Sequence, residues 1–185
     1  MTAPLAHGMF TIERRYDASR ERVFRAYADP VAFRRWFVEA PGATIYDWAH
    51  DFRVGGLGGG RYRFGGPESP VGFNDTLFLD IVENSRIILS YVMGRELGEE
   101  RRRDSASLAT IELIADGPGT RLIYTEQGAY FGEDGAAHLG GADLSHAGLH
   151  DVARAQAGRE HARNRLVEQI AFLAHVEGVA QRHAE

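Results

Sequence analysis

Residues 10–37, FTIERRYDASRERVFRAYADPVAFRRWF, predict how the fold begins. Apolar and polar side chains alternate up to Tyr16, a pattern typical of a β-strand with one buried face. Ser19 then stands where a helix cap is expected, ahead of an apolar stripe at helical spacing. Asp29 and Pro30 favour a second helix, because aspartate caps well and proline fits the first helical position. The segment therefore predicts one strand followed by two short amphipathic helices.

Six further runs show the two-residue period of β-strands and are separated by turn residues. They cover residues 44–48, 61–64, 73–82, 86–93, 107–115 and 120–127. The connections at 83–85 and 116–119 are short enough for hairpins, so consecutive strands are expected to pair antiparallel in a meander.

The last third of the chain predicts two different kinds of segment. Residues 129–158 are rich in glycine and alanine and show only a weak helical period, so we expect a lid or insertion. Residues 159–176 predict a long amphipathic helix. When they are placed at 100° per residue, one face collects Ala162, Leu166, Val167, Ile170, Leu173 and Ala174.

Composition narrows the class of protein. A chain of 185 residues falls in the usual range of a single domain. It contains no cysteine, which excludes disulfides and thiolate metal sites. The 21 basic residues are dispersed among 26 acidic ones with a net charge of -5, so nucleic acid is not an expected partner. The beginning of the sequence lacks a signal-peptide pattern and no run spans a bilayer, so we expect a cytoplasmic protein without membrane insertion.

Four motifs carry a resemblance to a known family. Residues 10–37, DFRVGG at 51–56, GGRYRF at 59–64 and TRLIYTEQGAYF at 120–131 are similar to bacterial proteins that resemble the activator of heat-shock-protein-90 ATPase. That family belongs to the START-like, polyketide-cyclase-like SRPBCC superfamily. Family members often open the last helix with Gly-Trp, whereas this chain has Gly158 and Arg159.

The resemblance implies an α+β helix-grip fold as a single START-like domain over residues 1–185. In that fold a curved antiparallel sheet of about seven strands wraps around a long C-terminal helix. A mostly apolar cavity lies between the sheet and the helix. Because ligand cavities are walled by apolar and aromatic side chains, the aromatic residues are candidate ligand contacts, although each could equally fill the core. These are Trp36, Trp48, Tyr62, Phe64, Phe73, Phe78, Tyr91, Tyr124 and Phe131.

Glu126 and Tyr91 are candidate polar groups of that cavity. Glu126 alternates with Tyr124, so the two side chains are expected to share a face. A buried carboxylate needs a partner. Arg159 and Arg163 project onto the apolar side of the last helix, where either could pair with Glu126, meet an acidic ligand group, or lie along the surface with its head solvated.

Arginine, glycine and histidine residues form other patterns with expected roles. Arg14 lies among apolar positions of the first strand, so we expect an ion pair with Asp47 or Asp51. Residues 55–60 lack a phosphate-loop ending and predict a turn with positive φ, and residues 101–103 predict a solvated hairpin loop. A metal site is not expected from the histidines at 138, 146, 150 and 161, nor is any cofactor. Phe172, opposite the apolar face of its helix, suggests a homodimer contact.

Three functions remain open from the sequence. The first is binding of a small hydrophobic or aromatic ligand between sheet and helix. The second is a cyclase-, aromatase- or hydrolase-like enzyme in which Glu126, Tyr124 or Arg163 moves protons. The third is an interaction protein like the chaperone activator. We expect binding, with enzymatic turnover undecided and no catalytic residue assigned.

Overall fold

Residues 5–132 form one antiparallel sheet with two helices inserted after its first strand in this computed structural model, which describes that part of the chain. The elements are β1 Leu5–Tyr16, α1 Arg20–Ala28, α2 Pro30–Phe37, β2 Ala43–His50, β3 Leu57–Phe64, β4 Val71–Val82, β5 Arg86–Leu97, β6 Glu100–Asp116 and β7 Gly119–Phe131. The predicted strand, helix pair and six further strands are therefore confirmed.

The two helices begin where the sequence predicts. Ser19 caps α1 by accepting a hydrogen bond from the Arg22 backbone N–H, at 3.4 Å. Asp29 ends α1 and caps α2, where its Oδ1 accepts from the Ala32 backbone N–H at 2.7 Å. Such caps satisfy donors that have no partner within the helix. The two elements follow each other without a spacer.

The sheet order is β1-β7-β6-β5-β4-β3-β2, with antiparallel pairing throughout. The six strands from β2 to β7 make the predicted meander, and β1 adds to the far edge beside β7. Asn84 has φ 55° in the short turn between β4 and β5, a conformation that asparagine tolerates.

Contacts of α1 show that the sheet curls. Five strand spacings separate β7 from β2, about 24 Å in a flat sheet, whereas a nine-residue helix is about 14 Å long. Nevertheless α1 packs on β6 and β7, and the carbonyl of Tyr27 in α1 lies 2.8 Å from His50 Nε2 in β2. Phe24 of α1 also meets Phe52, just after β2, with ring centroids 5.6 Å apart. The two ends of the sheet therefore approach the same helix.

The glycine run at 55–60 differs from its prediction. Gly55 does turn with φ +77°, but residues 57–60 belong to β3. Glycine is needed there for close backbone approach: a Cβ on Gly59 would collide with the Asn74 carbonyl, and one on Gly60 with the Asp47 carbonyl. The run is thus mainly a strand in which two neighbouring backbones leave no room for side chains.

Two expectations about arginines are wrong. Residues 101–103 are exposed, as predicted, but they lie in strand β6 and not in a loop, and the Arg101 guanidinium sits 3.9 Å from the ring centroid of Phe73. Arg14 is exposed and donates to the Glu13 carbonyl at 3.0 Å. Its two expected partners bind other arginines: Asp47 pairs with Arg61 at 2.7 Å, and Asp51 with Arg53 at 2.9 Å.

The end of β7 shortens the predicted insertion. The strand runs to Phe131, so residues 129–131 continue the sheet. The other predictions for the C-terminal third lie outside the described residues: the remainder of the lid, the helix at 159–176, and the roles of Arg159, Arg163, the four histidines and Phe172.

Candidate ligand-binding site

One face of the sheet, here called the inner face, packs against α1 and α2. Cross-strand partners share a face, and one inner row runs through Phe78, Leu89, Ala109, Glu126 and Phe10. The row beside it contains buried apolar and aromatic side chains that join those of the helices in a single cluster. Glu126 therefore places a carboxylate on a mostly apolar surface.

Glu126 is held by hydroxyl groups. Its side chain is 4% exposed, and Ser107 Oγ donates to Oε1 while the Tyr124 hydroxyl donates to Oε2, both at 2.8 Å. The Tyr91 hydroxyl also hydrogen-bonds within this group. We call Tyr91, Ser107, Tyr124 and Glu126 the Glu126 cluster. Each member alternates onto the inner face of its own strand, so four residues from three adjacent strands meet at one point.

Burial dominates the electrostatics of the cluster. It raises the pKa of the Tyr91 hydroxyl well above its usual range, and the nearby charge of Glu126 raises it further. The pKa of Tyr124 is raised for the same first reason, with Tyr91 and Glu126 adding to it. Both tyrosines therefore stay protonated at neutral pH and act as hydrogen-bond donors, not as bases.

Aromatic rings line the inner face at the β2 end. His50 stacks on Phe33 of α2, with ring centroids 4.5 Å apart and planes at 16°. Phe52 and Phe78 contact the same imidazole at 5.6 Å and 5.4 Å. Trp48 packs 5.6 Å from Phe37. Helix α2 thus closes over β2 through ring contacts.

The structure brings together most of the predicted ligand contacts. Trp48, Phe78, Tyr91, Tyr124 and Glu126 lie on the inner face. Trp36 reaches the same side from α2, where its Nε1 donates to the Ala26 carbonyl at 2.8 Å.

Two other predicted contacts, Tyr62 and Phe64, alternate with Gly58 and Gly60 onto the inner face, since those glycines pair with His50 and Trp48. They touch each other near the end of β3, with ring centroids 4.9 Å apart. The remaining predicted contacts do not lie on the described inner face. Phe73 is 1% exposed on the outer face beneath Arg101, and Phe131 alternates onto that same face. Arg163 lies outside the described residues.

Sequence reasoning missed two residues of this surface, Ser107 and His50. Ser107 had a signal: it alternates with Ala109 and Ile111, so a serine shares the buried face of an apolar run. His50 follows Trp48 by two residues, but the predicted strand ended at 48. Extending the alternation by one step would have placed the imidazole on the same face.

Among residues 5–132, no three histidine, cysteine, aspartate or glutamate side chains are grouped so that they could hold a metal ion. No helix of that region is long and apolar enough to cross a membrane.

Fold and site together define an α+β domain in which a single curled antiparallel sheet carries a buried polar cluster on its helix-covered face. The model of the family described as activator of Hsp90 ATPase homolog 1-like protein matches residues 17–154. The chain belongs to this family, which is part of the SRPBCC superfamily. The predicted resemblance is confirmed.

Solved structures agree with this assignment. The Mll3558 protein from Rhizobium loti is 38% identical with a TM-score of 0.69, and the match covers 92% of this chain and 99% of that one. An uncharacterised protein from Rhizobium leguminosarum is 28% identical with a TM-score of 0.69, over 95% of this chain and 99% of that one. Protein CV1439 from Chromobacterium violaceum, at 20% identity and TM-score 0.59 over 91% and 96%, is similar in fold alone. No curated protein matches the chain.

Proposed function

We propose that the protein binds a small, mostly apolar molecule against the inner face and that the Glu126 cluster orients it. The observation that carries the proposal is the buried carboxylate of Glu126 on a mostly apolar face of the sheet. Within residues 5–132 its hydrogen-bond partners are hydroxyl groups, and the ion pairs of that region join other residues. A buried carboxylate costs stability unless it is compensated, so a polar group there suits recognition better than packing.

The proton count of the Glu126 cluster suggests which ligand group it takes. The hydroxyl protons of Ser107 and Tyr124 are directed at the two carboxylate oxygens, and Tyr91 hydrogen-bonds within the same group. The cluster can therefore bind a ligand only through its remaining lone pairs and its negative charge. A complementary ligand therefore donates a hydrogen bond, and an ammonium group would match best because charge-assisted hydrogen bonds are the stronger ones.

The same features favour binding over the two alternative functions. Both Glu126 oxygens are already hydrogen-bonded, and the raised pKa values of Tyr91 and Tyr124 make their hydroxyls poor bases at neutral pH. An interaction with a chaperone rests on the family name, and no feature of residues 5–132 points to such a surface. Arg163 remains a predicted contact for a ligand acid group, in competition with the donor assignment.

Three naphthalene probes test the proposal: 2-naphthylmethylammonium, 2-naphthoate and naphthalene. Thermal unfolding of the whole chain reports their binding, because a ligand of the folded state raises the midpoint. We expect the ammonium probe to bind most tightly. Glu126→Gln should weaken it by about tenfold, corresponding to one charged hydrogen bond. Glu112→Gln, at an exposed glutamate on β6, is the matched control and should change nothing.

Two results would speak against the proposal. If none of the probes binds saturably, the ligand-binding function is wrong. If 2-naphthoate binds best and Arg163→Ala abolishes the preference, the cavity takes an acid and the donor assignment is wrong.

A further inference from the structure

We infer that Trp48 and His50 form a second polar site on the inner face, one that takes a hydroxyl group of the ligand. This inference rests on the proposed function and names a chemical feature of its ligand. Trp48 and His50 are two residues apart on β2, so their side chains stand on one face with Cα atoms about 7 Å apart. Neither the Trp48 indole N–H nor His50 Nδ1 has a hydrogen-bond partner in the described part of the chain, and both atoms are buried.

The hydrogen bond at the opposite ring nitrogen sets the tautomer of His50. Nε2 lies 2.8 Å from the Tyr27 carbonyl oxygen, which can only accept, so Nε2 carries the proton. Burial also lowers the pKa of His50, which keeps the imidazole neutral at pH 7. Nδ1 is then a lone-pair acceptor. Within residues 5–132, an unpaired acceptor on His50 and an unpaired donor on Trp48 therefore occur at successive inward positions of β2.

The other tryptophan shows what a purely structural indole looks like in this protein. Trp36 is buried, and its Nε1 donates to the Ala26 carbonyl at 2.8 Å. Buried tryptophan N–H groups usually find such a partner. Trp48 is packed against Phe33 and Phe37, but no atom of the described part of the chain accepts from its indole N–H. Packing therefore accounts for the ring of Trp48 and leaves its N–H unexplained.

A hydroxyl group satisfies both atoms at once. Its oxygen accepts from Trp48 Nε1, and its proton goes to His50 Nδ1. A carboxylate could accept from the indole but has no proton for the imidazole, and an ammonium has no lone pair for the indole. The rings of Phe33, Phe52 and Phe78 around His50 favour a flat apolar body beside that hydroxyl. The site thus fits an aromatic or polycyclic alcohol or a phenol.

Nitrogen NMR of the ¹⁵N-labelled whole chain tests the inference with 2-naphthol, 2-methoxynaphthalene and naphthalene as probes. The chain has two tryptophans and therefore two indole N–H resonances. We expect saturating 2-naphthol to move the Trp48 resonance downfield and leave that of Trp36 in place. Naphthalene should not cause the downfield shift. The His50 nitrogens should show the Nε2–H tautomer before and after binding.

Two substitutions test how much the Trp48 indole N–H contributes to the affinity for 2-naphthol. Trp48→Phe keeps an aromatic ring and removes the N–H, and it should weaken 2-naphthol by about three- to tenfold with naphthalene unchanged. Trp36→Phe removes the satisfied indole and should preserve the preference for 2-naphthol. If Trp48→Phe fails to fold, the shift of the Trp48 indole resonance in the wild-type protein still tests the inference.

The outcomes separate this site from the proposed function. If 2-naphthol binds and shifts Tyr124 and its neighbours but not the Trp48 indole, the hydroxyl site is wrong and ligand binding stands. Equal affinity for 2-naphthol and 2-methoxynaphthalene would show that His50 Nδ1 takes no proton, which also overturns the site. If none of these three probes binds but 2-naphthylmethylammonium does, the hydroxyl site is wrong and the proposed function stands; if 2-naphthylmethylammonium also fails to bind, both are overturned.

Discussion

Removing single hydroxyl groups from the Glu126 cluster should destabilise the protein, whereas removing the whole cluster should not. Ser107→Ala and Tyr124→Phe each delete one of the two 2.8 Å donors to a carboxylate that is 4% exposed. Leaving a buried polar group short of a partner costs about 1–3 kcal/mol. A fourfold variant leaves no orphan, and such apolar replacements are often neutral or stabilising. It combines Tyr91→Phe, Ser107→Ala, Tyr124→Phe and Glu126→Leu.

Urea unfolding measures this difference. For a domain of this size a slope of about 2 kcal/mol/M is typical, so a loss of about 2 kcal/mol lowers the midpoint by about 1 M. Ser90→Ala, at a half-buried serine on the outer face of β5, is the matched control and should move the midpoint little. The fourfold variant should keep its midpoint while losing the preference for the ammonium probe, as expected where stability was traded for function.

Either of two results refutes this reasoning. If both single substitutions leave the midpoint within about 0.2 M of wild type, the hydroxyls do not compensate the carboxylate. If the fourfold variant is destabilised by the sum of its parts, the cluster is a structural element and does not serve recognition.

Three further perturbations follow from the packing. Gly94→Ala pushes a Cβ into the β6 backbone and the buried ring of Phe73, so thermal unfolding should show a loss of stability of about 1–3 kcal/mol. Gly58→Ala is the control: the nearest neighbours of its added Cβ are 3.5 Å away, so stability should change by less than about 1 kcal/mol. Thr120→Val deletes a fully buried hydroxyl that donates to a backbone carbonyl at 2.7 Å, and denaturant titration should record a loss of about 1–3 kcal/mol. Burial lowers the pKa of His50 in the folded protein, so on acidification the unfolded chain binds this proton first. The free energy of unfolding should therefore fall below about pH 6.5, and it should fall more steeply in wild type than in His50→Gln. Equal pH profiles for the two proteins would contradict the lowered pKa.

Local signals explain what the sequence predicted well. The caps at Ser19 and Asp29 act within three residues of their partners, and alternation marks each strand wherever one face is buried. Because these interactions join residues that are close in sequence, the elements that depend on them could be predicted from the sequence. The two short helices and the six-strand meander depend on little else.

Strand ends were harder to predict because they depend on distant partners. Leu5 begins β1 opposite Phe131, at the other end of the described chain, and this pairing carries both strands past their predicted limits. Likewise β6 extends back to Glu100 along the partner strand β5, so three arginines expected in a loop became part of a ladder. No local pattern reveals such pairings.

The candidate site shows a different kind of error. Phe73 and Phe78 are five residues apart, and Tyr124 and Phe131 are seven apart, so strict alternation already places each pair on opposite faces. The predicted ligand contacts were chosen because they are aromatic, and the alternation of faces was not applied to them. The position of Arg101 over Phe73, by contrast, could not be foreseen, since it depends on packing across strands β4 to β6.

Intermolecular NOEs from bound 2-naphthylmethylammonium test the central claim most directly, because they locate the ligand on the sheet. We predict contacts from the naphthalene ring to the rings of Tyr91 and Tyr124, on the inner face. Contacts to Leu108 and Met9, which lie exposed on the outer face, would contradict ligand binding at the Glu126 cluster.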